Sequence, residues 1–156
     1  MKKRLWVTAV FVFIIYLSIC NHAYSQEEGD MPMQQTIVQQ VFEESHMKNG
    51  VKEISYDQFI KIMDSGEQFV LLDVLSADSY DKGHIDGAAS FPVETINEDS
   101  AADKLSKDSK IIVYCGSFQC SASTQAAKKL SALGYNVVDY KGGLKEWQEK
   151  DNSLVQ

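Results

Sequence analysis

Cysteine is scarce in this chain, three residues of 156, and the placement of the three limits what they can do. Cys20 falls in a leader described below, which leaves Cys115 and Cys120 with four residues between them. A bridge across so short a loop adds little to folding, so a disulfide framework is excluded and any pairing would be chemical. Histidine is equally sparse: His22 lies in the leader and His46 in a polar stretch after it, so no convincing zinc ligand set forms around the two cysteines. No metal or other cofactor is expected. No apolar run reaches the about 20 residues that usually span a bilayer. No internal repeat or low-complexity tract is present. Basic residues are outnumbered, 15 Lys and Arg against 22 Asp and Glu, for a net charge of −7. That balance argues against nucleic acid or an anionic membrane surface as a partner.

What is present begins with a secretory signal pattern over residues 1–25. Lys2, Lys3 and Arg4 form a positive n-region, Leu5 to Cys20 a nearly unbroken apolar run, and Ala23-Tyr24-Ser25 offers small residues for cleavage after Ser25. An uncleaved anchor is one alternative. A lipid on Cys20 is another, although Ile19 is bulky for that role. All three export the domain, and only the alternatives leave a membrane tether. Without residues 1–25 the chain loses three basic residues and carries a net charge of −10. Residues 26–50 are polar and read as a spacer, with Ile37, Val38, Val41 and Phe42 marking a possible short helix from Thr36 to Met47. The globular domain is expected over 51–152.

Within it, short apolar runs alternate with helical patterns. Ser55 is placed to cap a helix carrying Phe59, Ile60 and Met63, with Gly66 as its stop. Residues 68–74 form a continuous apolar strand ending near Asp73, and 88–91 a brief one ended by Pro92. Residues 135–140 form another strand, Gly142-Gly143 a tight turn, and 144–150 a final helix with Trp147. Strands alternating with helices predict an α/β fold, a parallel sheet covered on both faces. About 100 residues suffice for one such core.

The stretch IIVYCGSFQCSAS, Ile111 to Ser123, is where chemistry is expected. Ile111 to Val113 read as a buried parallel strand, and a helix follows from Ser121 with Ala122, Ala126, Leu130 and Leu133 on one face. Cys115 thus sits where a strand meets a loop and a helix N-terminus, the end at which open α/β sheets bind ligands. Unpaired N–H groups of Gly116, Ser117, Phe118, Gln119, Cys120 and Ser121 would favour a thiolate there. Gly116 relaxes the start of the turn. Ser117 and Ser121 offer hydroxyls, Ser121 equally being a helix N-cap. Phe118 and Gln119 shape the mouth.

Three segments carry a family resemblance. LLDVLSADSYDKGHIDGAASFP resembles the rhodanese pattern of a strand ending Asp-Val-Arg followed by Gly-His-Ile-Pro-Gly-Ala, IIVYCGSFQCSAS its active-site loop, and YKGGLKEWQ its closing Gly-Gly-Trp segment. The resemblance implies a five-stranded parallel sheet with helices on both faces. It also implies a catalytic cysteine, Cys115, that takes up a sulfane sulfur as a persulfide and passes it to an acceptor. In layout the chain is similar to the exported phage-shock-protein E type. Under it, His84 and Asp73 are structural.

Two departures matter. Leu75 stands where the family carries arginine after Asp-Val, and Cys120 stands where its loop carries arginine. The loop from Gly116 to Ser121 contains no Lys or Arg. Without a guanidinium there is no bidentate clamp for a tetrahedral oxyanion, which disfavours a phosphatase or arsenate reductase and weakens thiosulfate as donor. The expected partners are a small sulfur donor, thiosulfate or better a persulfide or polysulfide, and a thiol or cyanide-like acceptor. A thiol–disulfide protein using Cys115 and Cys120, and a non-catalytic binding module on the same fold, are the alternatives.

Overall fold

The computed structural model describes residues 36–156; residues 1–35, and with them the leader and Arg4, lie outside the described part. The elements in chain order are α1 (Ile37–Glu44), β1 (His46–Lys48), β2 (Val51–Ile54), α2 (Tyr56–Ser65), β3 (Val70–Asp73) and α3 (Ala77–Tyr80). They continue with β4 (Ala89–Ser90), a 3-10 turn (Val93–Thr95), α4 (Glu98–Lys104), β5 (Lys110–Tyr114), α5 (Ala122–Ala132), β6 (Asn136–Tyr140) and α6 (Gly143–Glu149).

The six strands form one sheet in the order β1-β2-β6-β5-β3-β4. The five from β2 to β4 are parallel, as expected; β1 adds an antiparallel edge strand that pairs His46 with Glu53. β5 is apolar and buried from Ile111 to Tyr114, the composition that a strand flanked on both edges and covered on both faces needs. Its alternate residues feed two cores. Ile111 and Val113 pack with Val137, Ala126, Ala127 and Leu130, under α5. Ile112 and Tyr114 pack with Val138, Tyr140, Phe59, Ile62 and Trp147, under α1, α2 and α6. The register places Asp73, Tyr114 and Tyr140 side by side at the strand ends. Cys115 therefore leaves the sheet at the middle of its C-terminal edge.

α2 starts as expected, with a capping box between Ser55 and Gln58, and ends on Gly66 at φ +69°. Its buried positions are Phe59 and Ile62, whereas Ile60 and Met63 are only partly covered.

The spacer expectation is corrected from Thr36 onward. Thr36 caps α1 by accepting from the Gln39 N–H at 3.1 Å, and the Glu67 carboxylate accepts the N–H groups of Ile37 and Val38 at 2.8 and 3.0 Å. Those bonds dock the helix start, and Val38, Val41 and Phe42 are buried in the second core. The apolar face had marked a possible helix here, but so short a helix is marginal by itself, and its docking depends on the core that covers it. The domain also runs past 152: His84 and Val155 exchange backbone hydrogen bonds, both at 2.9 Å. Phe42→Ala is expected to cost about 3–5 kcal/mol, the usual loss for a buried Phe. A spacer would lose nothing, so an unchanged urea midpoint would reverse this correction.

Candidate active site

The loop after β5 is tied down from the opposite side of the sheet edge. The first N–H groups of α6 donate into it, Leu144 to the Cys115 carbonyl and Lys145 to the Gly116 carbonyl, each at 2.9 Å. Gly143, at φ +59°, makes this approach possible, since a Cβ there would lie 2.1 Å from the Cys115 carbonyl oxygen. Gly116, by contrast, has nothing within 4 Å of a built Cβ, so the glycine the loop requires is Gly143. Within the loop the Cys120 N–H donates to the Ser117 carbonyl at 3.0 Å.

Cys115 is fully buried. Its sulfur lies 3.2 Å from the Ser123 hydroxyl, 3.6 Å from the Cys120 carbonyl and 4.0 Å from that of Ser117. The expected ring of N–H groups around this sulfur is not what forms. Burial pushes the Cys115 thiol up, the neighbouring Cys120 thiol adds to that, and Ser123 opposes it through its hydroxyl and N–H. Cys120 is half-buried and receives the loop's donors instead. Burial acts to raise it, but the Cys115 thiol, the N–H groups of Ala122 and Gly116 and the Lys141 ammonium bring it below the ordinary cysteine value. The two thiols interact directly, so they titrate as a pair, with the surroundings favouring the thiolate at Cys120 over Cys115.

The other loop residues separate by exposure. Phe118 is exposed, Gln119 points to solvent, and Ser121 accepts from the Gln125 side chain at 2.9 Å without capping α5 through its own hydroxyl. The hydroxyl that reaches Cys115 belongs to Ser123, on the buried stripe with Ala126, Ala127 and Leu130. A serine at the head of an otherwise apolar helical face was the available signal for it.

The cation missing from the loop arrives from β6. Lys141 donates to the Cys120 carbonyl. Arg4 is the chain's single arginine, so within the described residues every cation other than histidine is a lysine. Behind Lys141, Asp139 is buried with Oδ2 accepting from Thr124 at 2.8 Å, and burial raises its carboxyl while the Ser123 and Thr124 hydroxyls oppose that. Asp73 accepts from the Leu75 N–H at 2.9 Å, and its other oxygen has no hydrogen-bond partner among the described residues. His84 is structural: it stacks on Tyr80 at 3.7 Å between ring centres, with Nδ1 3.1 Å from the Tyr80 carbonyl. Among the described residues no three His, Cys, Asp or Glu side chains gather as a metal site.

The family model of the rhodanese-like domain matches residues 55–150. The chain belongs to the rhodanese-like domain family. Among curated proteins it is similar to the thiosulfate sulfurtransferase PspE of Escherichia coli, 33% identical over 75 residues that cover 48% of this chain and 70% of that protein. It is also similar to the putative sulfur carrier protein YrkF of Bacillus subtilis, 28% identical over 107 residues, or 68% of this chain and 56% of that protein. The chain thus spans about half of YrkF, and only 22% of the probable adenylyltransferase/sulfurtransferase MoeZ of Mycobacterium tuberculosis that it also matches. Among solved structures, the BH2092 protein of Bacillus halodurans superposes with a TM-score of 0.60 at 35% identity, covering 66% of this chain and 75% of that one. The rhodanese-like domain of Alr3790 from Anabaena gives 0.59 at 30% identity, covering 66% and 77%. A sulfur-transfer role is supported at the level of this family.

The thiols' different settings predict their order of modification. At neutral pH, limiting iodoacetamide is expected to alkylate Cys120 before Cys115, because Cys120 is the less buried thiol and its surroundings bring it below the ordinary cysteine value. Peptide mapping checks this, and equal labelling would show that burial does not shield Cys115.

Proposed function

We propose that this domain is a rhodanese-type sulfurtransferase that carries sulfane sulfur as a persulfide on Cys115. The observation that carries the reading is the position of Cys115: it ends the central parallel strand inside a loop clamped by α6, with a second thiol and an ammonium beside it. A protein thiolate attacks the outer sulfur of a persulfide or polysulfide donor. The bond between the donor's two sulfurs breaks, the bond to the protein sulfur forms, and the donor leaves as a thiolate that takes up a proton. A thiol or cyanide-like acceptor then attacks the outer sulfur and restores the cysteine. Neither step needs an external oxidant. Ser123 donates to the Cys115 sulfur in either anionic state, and Lys141 offsets charge brought by the donor.

A second reading rests on the contact between the two thiols. If the Cys120 thiolate attacks the inner sulfur of a Cys115 persulfide, hydrosulfide leaves and an internal disulfide remains. Intact mass after exposure to a polysulfide separates the readings. Gain of one sulfur atom, lost in Cys115→Ser and kept in Cys120→Ser, is the expected result. Loss of two hydrogens would favour the redox reading, and sulfur retained in Cys115→Ser would show that Cys115 is not the carrier.

We also propose that the domain works outside the cytoplasm, on the strength of the signal pattern over residues 1–25. The mature protein is expected to start at Gln26. An intact Met1 on cytoplasmic protein would overturn the export proposal.

A further inference from the structure

Three fully buried polar side chains lie behind the loop: Cys115, Ser123 and Asp139. They come from the end of β5, the first turn of α5 and the C-terminal half of β6. The β5–β6 register sets Asp139 beside Val113, two residues before Cys115 and on the sheet face that α5 covers. Ser123 Oγ lies 3.2 Å from the Cys115 sulfur, where it accepts from the thiol. The next residue, Thr124, donates to Asp139 Oδ2 at 2.8 Å, and the Ser123 hydroxyl acts on the same carboxylate. One hydroxyl thus stands between a sulfur and a carboxylate, all three shut off from water.

A carboxylate is costly in such a place. Thr124 does not by itself call for one, since a neutral amide would accept its bond as well. The sulfur chemistry does. If Cys115 lost its proton to solvent while Asp139 stayed ionised, two negative charges would share one buried site. If the proton moves to Asp139 instead, the site keeps a single negative charge throughout. The charged groups around Asp139 are Lys141 on its own strand, which favours the carboxylate, and Glu53 across the β2–β6 ladder, which disfavours it and itself meets Lys48 at 3.6 Å. Cys120, beside Cys115, is a further titrating neighbour. Burial prevails over the favourable contacts and leaves the carboxyl above its usual range, so it accepts a proton more readily than a surface carboxylate.

We propose that Ser123 and Asp139 are the proton relay of Cys115. As the sulfur attacks a donor, the S–H proton passes to Ser123 Oγ while the Ser123 hydroxyl proton passes to Asp139. A Cys115 thiol, an Asp139 carboxylate and a donor persulfide thereby become a Cys115 persulfide, an Asp139 carboxylic acid and the donor's thiolate. The sulfur–sulfur bond made replaces the one broken, so no oxidant is needed. When the acceptor removes the outer sulfur, the departing Cys115 thiolate takes the proton back along the same path. Ser123 is then a catalytic residue, since it touches the reacting sulfur, and Asp139 a positioning residue that acts through it. The inference deepens the sulfurtransferase reading and rests on it.

The pH dependence of Cys115 reactivity tests the relay. In the full chain carrying Cys120→Ser, Cys115 is the one thiol outside the leader. Its alkylation by iodoacetamide is read by peptide mapping, which separates it from Cys20, and its persulfide loading from a polysulfide is read by mass. With the relay, alkylation keeps a flat arm through neutral pH and rises again in alkali, where the free thiolate forms. Asp139→Asn and Ser123→Ala should each slow neutral-pH alkylation by about a hundredfold, the lower end of what a positioned base contributes, and should meet the parent rate in alkali. The double variant should be no slower than either single one. Thr124→Val, which removes only the tether to the helix, should keep the neutral arm. Losses equal at every pH, additive losses in the double variant, loss of the arm in Thr124→Val, or faster neutral-pH alkylation in Asp139→Asn would overturn the relay. Persulfide loading without a neutral arm overturns the relay alone, and a neutral arm without loading by any donor overturns the sulfurtransferase reading alone.

Discussion

Gly143→Ala is expected to be the most destabilising single methyl that can be added near the site. The new Cβ would sit 2.1 Å from the Cys115 carbonyl oxygen, 2.9 Å from its carbon and 3.1 Å from the Ser117 nitrogen. All three are backbone atoms of the loop, so no side chain can turn aside to make room. Gly143 also has φ +59°, where a non-glycine residue costs about 1–2 kcal/mol. Overpacking adds about 1–3 kcal/mol. Together these remove about 2–5 kcal/mol, a large share of the roughly 5–15 kcal/mol that a domain of this kind holds. The strain has one outlet, which is to push α6 off the loop and break the bonds from Leu144 and Lys145 to the Cys115 and Gly116 carbonyls. A lower urea midpoint and loss of sulfur transfer are therefore expected together. Gly116→Ala is the control: with open space at its Cβ it should shift stability by less than about 1 kcal/mol. If Gly143→Ala has the midpoint of the parent protein, the clamp is not what holds the loop.

Cys115→Ser should produce the largest loss of activity with little loss of fold. A serine hydroxyl fits the buried site, because it can donate to the Cys120 carbonyl and accept from Ser123, the groups that now surround the sulfur. Its oxygen has no accessible anion at neutral pH and forms no persulfide. Turnover with polysulfide is expected to fall by at least about a thousandfold, the scale on which removing a covalent nucleophile acts, while the unfolding free energy from urea titration changes by no more than about 1 kcal/mol. Cys120→Ser supplies the comparison. It removes the less buried sulfur, whose surroundings lower its pKa, so a partial loss is expected, with persulfide still formed on Cys115. Should Cys115→Ser keep a tenth or more of the parent rate, the carrier must be assigned to Cys120.

These two variants fall on different sides of what a reader of the sequence can see. The uniform apolar run of β5, the cysteine after it, the Ser55 cap and the stop at Gly66 are local signals, and local signals survive without a fold. So the α/β class, the parallel sheet, the position of Cys115 and the family pattern were all legible in the order of residues. Even the absence of arginine from the loop was a statement about sequence alone.

Where the loop's donors point was not. The N–H groups expected on Cys115 are drawn to Cys120, because the turn closed by the Cys120 N–H on the Ser117 carbonyl brings that sulfur over Gly116 and Ala122. Ser123 reaches Cys115 only because α5 packs its buried stripe against β5, and Lys141 reaches the loop only because β6 lies beside β5 in parallel register. The docking of the helix at residues 37–44, whose apolar face was already visible, was decided in the same way, by a core contributed from far along the chain. Chain order determined which residues carry the chemistry, since strand ends and reactive side chains are written locally. Tertiary packing decided which thiol is buried and which is favoured as the thiolate, since burial and electrostatic contact depend on neighbours tens of residues away.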